Sequence, residues 1–407
     1  MRVPPWLAKV RAQVPVSLHR EIELFHELLR ATPEEQRMRA DLVARLRALV
    51  HELWPAARLT VYGSCATGTC LPMSDVDVVV EVRTPYPPLA VLGAALRERF
   101  PCSALDELPA ARVPLIKLRD APSQLAVDIS FNSPTGPRNS DVVCALLERY
   151  PAARPLICVL KYLLYSHALN EVYTGGLGSY ALALMVVAHI QRQSLGGADS
   201  IGATASSTSA AQGTTSTAST TSTTAPTPDL GALLLSFLRF YSVELDYARQ
   251  GVALLREDGT GSTLFGKRDH GWLDPERPHL LALEDPSDPD NDVGRGTFRI
   301  AAVRQLFRDA YEQLTAPPFT PVSLLALLFD VPPWFQNFRR TVAAPFKTKT
   351  SPKKQQGPQQ KGVQHRQQQQ AQQRESTAGA AGDPPVRDTT PGSNRPEGEE
   401  EAAAQFT

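Results

Sequence analysis

The spacing of apolar positions changes along this 407-residue chain, and each change marks an expected boundary. Between Leu18 and Leu29, Ile22, Leu24, Phe25, Leu28 and Leu29 recur at three- and four-residue intervals, the mark of one buried helix face. Thr32-Pro33-Glu34-Glu35 is a capping box with proline at the first helical position. The helix it opens carries Leu42, Val43, Leu46, Leu49, Val50 and Leu53, and stops at Trp54-Pro55. The period then shortens. Arg58 to Tyr62, the run Val78-Val79-Val80, Val113 to Leu118 and Gln124 to Phe131 read as strands, with a helix from Leu89 to Phe100 between them. Helices packed on a small mixed sheet are the architecture expected of residues 18–138, with packing of the first helices on the following helical part as the alternative.

From Ser140 the pattern is helical again, over Asp141 to Tyr150, Pro155 to Leu169 and Ser179 to Gln191. The last of these is apolar on nearly every side, as a central buried helix would be. Residues 139–316 are therefore expected to form a second, helical domain, an α lobe beside an α/β lobe with a cleft between them. Ser194 to Pro228 interrupts it with Ser, Thr, Ala and Gly, too few large apolar residues to order themselves, and is expected to be a disordered insert. Residues 1–17 are an N-terminal extension. The apolar LLALLFDVPPWFQNF within 317–344 is expected to be one more docked segment, and 345–407, rich in Lys, Gln and Pro and acidic at its end, a disordered tail.

Composition narrows the partners. Lys and Arg number 42 and Asp and Glu 42, so no large basic field is available and any nucleic-acid binding must be local or borrowed from a partner. Five scattered cysteines (65, 70, 102, 144, 158) make no zinc pattern and are expected to be reduced packing residues. No apolar run reaches membrane-spanning length, and Met1-Arg2-Val3-Pro4-Pro5 does not open a signal peptide.

The chemistry concentrates in VYGSCATGTCLPMSDVDVVVEV, from Val61 to Val82. Asp75 and Asp77 stand one strand repeat apart and project from one face. Two carboxylates at the head of an apolar strand make a poor core but a good chelate for hard divalent cations. Gly63-Ser64 before them supplies exposed amides, a hydroxyl and room for close approach, which suits a triphosphate. Asp128, central in QLAVDISF, is costly there unless it pairs or binds metal. Together the three aspartates can hold two Mg²⁺ (or Mn²⁺) ions, one lowering the pKa of an attacking hydroxyl and one neutralising a leaving pyrophosphate.

Gly-Ser, a spacer, Asp-x-Asp and a later strand aspartate resemble the DNA polymerase β-like nucleotidyltransferase superfamily. NEVYTGGLGSYALALMVVAHIQ, LGALLLSFLRFYSVELDY and LEDPSDPDNDVGRGTF, in that order, resemble the poly(A)-polymerase-associated domain, and residues 18–314 as a whole resemble the Trf-type poly(A) polymerases of TRAMP RNA surveillance. The resemblance implies a polymerase β-like palm, ATP as substrate and an RNA 3′ end as acceptor. It further implies a zinc-knuckle RNA-binding partner, a helicase partner and a nuclear or nucleolar compartment, for which PFKTKTSPKKQ is the one import-like stretch. It assigns Gly63 and Ser64 to the β- and γ-phosphates, Asn139 and Ser140 to the ribose, Lys161 to the triphosphate, and Ser179 and Tyr180 to phosphate and base. The chain departs from the pattern at Gly178, where the family has serine, and at His167, near a family arginine. Base choice falls to the segment from Glu284 to Arg295. Related uridylyltransferases place a histidine where Asn291 stands, so Asn291, with Asp292, points to ATP. Terminal uridylyl transfer and a catalytically weak scaffold subunit are the alternatives.

Overall fold

The computed structural model describes residues 4–8, 16–201, 228–317 apart from 257, and 322–339 apart from 333, 334 and 336; of 196–201 it describes the backbone alone. Most of the expected insert, the tail from 340 onward and part of the N-terminal extension lie outside the described residues.

Two helices come first, α1 (Leu18–Leu29) and α2 (Pro33–Leu53), with the expected capping box closed in both directions: Glu35 N donates to Thr32 Oγ1 at 3.2 Å and Thr32 N to Glu35 Oε2 at 2.7 Å. Then follow β1 (Arg58–Tyr62), the short α3 (Gly63–Thr67), β2 (Val76–Glu81), α4 (Pro88–Arg99), β3 (Cys102–Leu108), β4 (Leu115–Asp120) and β5 (Ala126–Phe131). The five strands form one mixed sheet in the order β1-β2-β5-β4-β3, with β2 and β5 parallel and the other neighbours antiparallel. α2 is fixed to it by a bidentate pair, Arg45 to the buried Asp120 at 2.8 and 2.9 Å.

The helical part comprises α5 (Thr135–Arg149), α6 (Ala153–Ser166), α7 (Ser179–Ile201), α8 (Leu230–Arg239) and α9 (Ile300–Thr315). Between α8 and α9 lie two small ribbons, β6 (Gln250–Val252) with β7 (Leu264–Gly266), and β8 (Glu284–Asp285) with β9 (Asp288–Asp292). A short α10 (Leu325–Leu328) follows.

Two separate apolar cores underlie the two lobes. One joins α2, α4 and the sheet through Met38, Leu46, Val78, Leu92, Ile116 and Ile129. The other is helical, and α1 belongs to it: Ile22 and Phe25 pack with Tyr162, Phe237 and Phe329 rather than with the sheet. The first helix after the extension is thus part of the second lobe, whereas α2 belongs to the first.

Several expected bounds move for local reasons. β4 starts at Leu115 because Pro114 has no N–H for a ladder. α5 and α6 each begin upstream of expectation, with Pro137 and Pro155 in their first turns, where a missing N–H costs nothing. β3 is an edge strand of mostly exposed residues and carries no alternating apolar signal. α7 runs on from 194 to Ile201, into the stretch expected to lack structure.

The segment after α9 is docked through one carboxylate. Glu21 on α1, 1 % exposed, accepts from Leu324 N at 2.8 Å, Leu325 N at 3.2 Å, Trp6 Nε1 at 3.4 Å and the Ser323 hydroxyl. Glu21→Gln puts an amide donor among these donors. It is expected to cost about 3 kcal/mol of unfolding free energy in urea titration; a change below about 0.5 kcal/mol would show that this carboxylate does not anchor the segment.

Candidate active site

The parallel register of β2 with β5 sets Asp77 beside Asp128. Asp75, two residues before Asp77, completes a cluster in which one oxygen from each carboxylate lies within 4.8 Å of the others. Burial, then the neighbouring Asp75 and Asp128, push the Asp77 carboxyl up to about 7. Burial also raises Asp128, opposed by Lys117, whose Nζ donates to Asp128 Oδ2 at 2.9 Å. The cluster is electrostatically unfavourable as it stands, and its ligand atoms are all hard oxygens. A divalent cation fits it on both counts.

Gly63 joins β1 to α3 with φ of +69°, and a Cβ there would fall 2.2 Å from Asp77 Oδ2. Only glycine lets the chain pass this close to the carboxylate. Its N–H donates to Ser140 Oγ at 2.7 Å, and that hydroxyl donates in turn to Gly136 O at 3.0 Å. Ser140 therefore holds the turn in place, a positioning task in addition to the ribose contact expected of it. The neighbouring Asn139 has a buried Oδ1 with no hydrogen-bond partner, an acceptor left for a bound donor such as a hydroxyl. Ser64 is buried, with 8 % of its surface exposed.

Lys161, on α6 of the helical lobe, is 8 % exposed, and its charge acts on Asp77. No carboxylate pairs with it among the described residues, so this buried ammonium is available to an anion lying against the acidic cluster. Ser179 is exposed at the start of α7. At Gly178 before it, where the resemblance expects serine, a Cβ would meet Val172 Cγ2 at 2.6 Å. His167 caps the end of α6, its Nδ1 3.0 Å from Leu163 O, a local structural role away from the carboxylates.

Tyr180 and Asn291 are connected by a residue missing from the sequence-derived set. Asp285, 2 % exposed, accepts from Tyr180 Oη at 2.9 Å and Asn291 Nδ2 at 3.0 Å, and from the Ser287 amide and hydroxyl at 3.0 and 2.9 Å. Burial alone would raise Asp285, but these donors hold it below the usual carboxylate range. With its Nδ2 turned to Asp285, Asn291 presents its Oδ1 the other way. Asp292 Oδ1 accepts from Leu283 N at 2.9 Å and Gly294 N at 2.8 Å and shapes its own loop. Asn291 and Asp292 line a cavity of about 960 Å³ that reaches Arg112 of the sheet lobe. The three aspartates do not line that cavity. Lys117 was the other omission, since only strand register, not the LIKLRD sequence, sets it opposite Asp128.

Residues 18–148 match the family model described as the poly(A) RNA polymerase, mitochondrial-like, central palm domain, and 229–291 match the Cid1 family poly A polymerase model. The chain is 33 % identical over 319 residues to poly(A) RNA polymerase Cid14 of Schizosaccharomyces pombe, covering 77 % of this chain and 43 % of that protein. It is 30 % identical to the inactive non-canonical poly(A) RNA polymerase protein Trf4-2 of Drosophila melanogaster, covering 80 % of this chain and 76 % of the relative. It thus spans under half the length of Cid14. Among solved structures, the polymerase core of the RNA surveillance complex TRAMP superposes with a TM-score of 0.65 at 24 % identity, over 85 % of this chain and 99 % of that one.

Proposed function

This chain belongs to the family of Trf-type poly(A) RNA polymerases, and on that premise we propose that it adds adenylates from ATP to RNA 3′ ends without a template. The observation that carries the reading is the carboxylate cluster of Asp75, Asp77 and Asp128 facing the charge of an unpaired, buried Lys161. An intact cluster favours a working enzyme over a silent scaffold.

Asp75, Asp77 and Asp128 would hold Mg²⁺ or Mn²⁺, which supplies activation of the RNA 3′-hydroxyl and neutralisation of the leaving pyrophosphate. Gly63, Ser64 and Ser179 approach the phosphates, and Lys161 offsets their charge. Asn139 accepts from the ribose through its orphaned Oδ1. Tyr180 offers its ring to the base, with its hydroxyl tied to Asp285. Stacking alone accepts any base, so discrimination falls to Asn291, whose free Oδ1 accepts from the exocyclic amine of adenine. The balanced overall charge supports a further element of the proposal. RNA is held weakly by the isolated chain, and a partner with RNA-binding elements such as zinc knuckles, in a nuclear complex that includes a helicase, supplies the rest.

The test is single-nucleotide addition to one RNA with all four nucleotides at equal concentration. A hydrogen bond at the base edge worth roughly 1–3 kcal/mol gives about tenfold or greater preference for ATP. Asn291→His is expected to move the preference toward UTP. If wild type prefers UTP, terminal uridylyl transfer replaces the adenylate reading.

A further inference from the structure

A second basic cavity, of about 620 Å³, lies where the α1–α2 connection, the back of the Gly63-Ser64 turn and the start of α6 meet. Arg30, Arg39 and Arg154 line it together with His26 and Gln36, and no carboxylate is among its lining residues. Arg154 comes from the helical lobe and Arg39 from the helix packed on the sheet, so the cavity sits at the junction of the two cores. Its lining also includes the aliphatic side chains of Leu29, Val43, Val61 and Val76.

The charges are real constraints on this cavity. Arg39 is 9 % exposed, and its Nη2 donates to Leu71 O at 3.3 Å and Pro72 O at 2.8 Å, but its buried Nε has no hydrogen-bond partner. Arg154 Nη1 donates to Thr67 O. Each guanidinium has five N–H groups, so donors remain on both. Arg30 is drawn to Glu27 at 3.6 Å, a distance that leaves its charge largely uncompensated at an exposed site. Burial, with Arg30 and Arg154 beside it, holds His26 below its usual range, which agrees with an excess of positive charge here. None of this is used at the carboxylate cluster.

We propose that this cavity is a second binding site, for a small phosphorylated molecule of nucleotide size. Three guanidiniums match phosphate oxygens by paired donors, the aliphatic side chains suit an organic body, and the volume is that of a small-ligand pocket. The site reaches the reaction centre through the backbone. Arg39 and Arg154 hold carbonyls 67, 71 and 72, in the segment that leads from the Gly63-Ser64 turn to Asp75. An anion drawing on those guanidiniums would therefore shift or stiffen the loop that delivers a catalytic carboxylate.

The experiment is calorimetric titration of the full chain with inorganic pyrophosphate and with adenosine monophosphate, in EDTA so that the acidic cluster repels both. One site is expected, weakening with salt, at least tenfold weaker in Arg30→Glu, and retained in Lys161→Ala. Arg39→Gln is expected to match Arg30→Glu, and the more exposed Arg30 keeps the test decisive if Arg39→Gln does not fold. Binding of adenosine monophosphate, with or without pyrophosphate, upholds the proposal, whereas binding of pyrophosphate alone, an anion with no organic body, overturns it. The proposal is overturned if neither probe binds, or if binding is lost in Lys161→Ala while Arg30→Glu is unaffected. It is likewise overturned if only a short RNA binds in an Arg30-dependent way, which would make the cavity a nucleic-acid contact.

Discussion

Asp77→Asn is expected to abolish nucleotide addition and at the same time to stabilise the metal-free protein at alkaline pH. The activity loss should be roughly 10³–10⁵-fold, because activation of the hydroxyl and neutralisation of pyrophosphate depend on the same carboxylates. The stability gain follows from linkage. Asp77 has a folded-state value of about 7, above that of an unfolded aspartate near ~3.9. Its ionisation therefore opposes folding, by nothing at low pH and increasingly as pH rises from about 4 to about 7, after which the penalty is constant. Removing the charge should stabilise the EDTA-treated protein by about 2–4 kcal/mol at pH 8 and hardly at all at pH 4. Urea unfolding of both proteins at the two pH values reads this directly. Equal stability at pH 8 would mean that the three carboxylates do not burden one another as their spacing implies.

Gly63→Ala should damage the same centre from the other side. The new methyl would need the space of Asp77 Oδ2, 2.2 Å away, at a backbone φ of +69°. Left-handed backbone costs a non-glycine residue about 1–2 kcal/mol, and displacement of a reacting group by about 1 Å costs on the order of 10²-fold in rate. The expected variant is folded, slightly destabilised and at least about 10²-fold slower in kcat/KM with RNA and nucleotide saturating in turn. Wild-type kinetics would show that the turn tolerates a side chain and that its approach to Asp77 is not needed.

Much of this site was legible because its parts are local in sequence. Asp75 and Asp77 share a strand face by alternation, Gly63 announces a turn, and Asp128 is conspicuous in an apolar strand. The capping box before α2 was legible for the same reason, since its two bonds join residues three apart. What could not be read depends on contacts between distant segments. Lys117 meets Asp128 only through the pairing of β4 with β5. Asp285 becomes a hub only when α7 brings Tyr180 to the β8–β9 turn, 105 residues away in sequence. Ser140 was recognised, but its bond to Gly63 joins residues 77 apart and gave no local sign. The membership of α1 was left open by the sequence. Its apolar face is compatible with either lobe, and only packing against Tyr162 and Phe329 decides. No described helix is long and apolar enough to cross a membrane.

The most direct test is extension of a short RNA by the purified chain with Mg²⁺ and a single nucleotide at a time, beside the Asp77→Asn protein. The account predicts a ladder of adenylates from ATP with wild type, none in EDTA and none from the variant. A wild-type chain that extends RNA equally well in EDTA, or an Asp77→Asn protein that still builds the ladder, would contradict it.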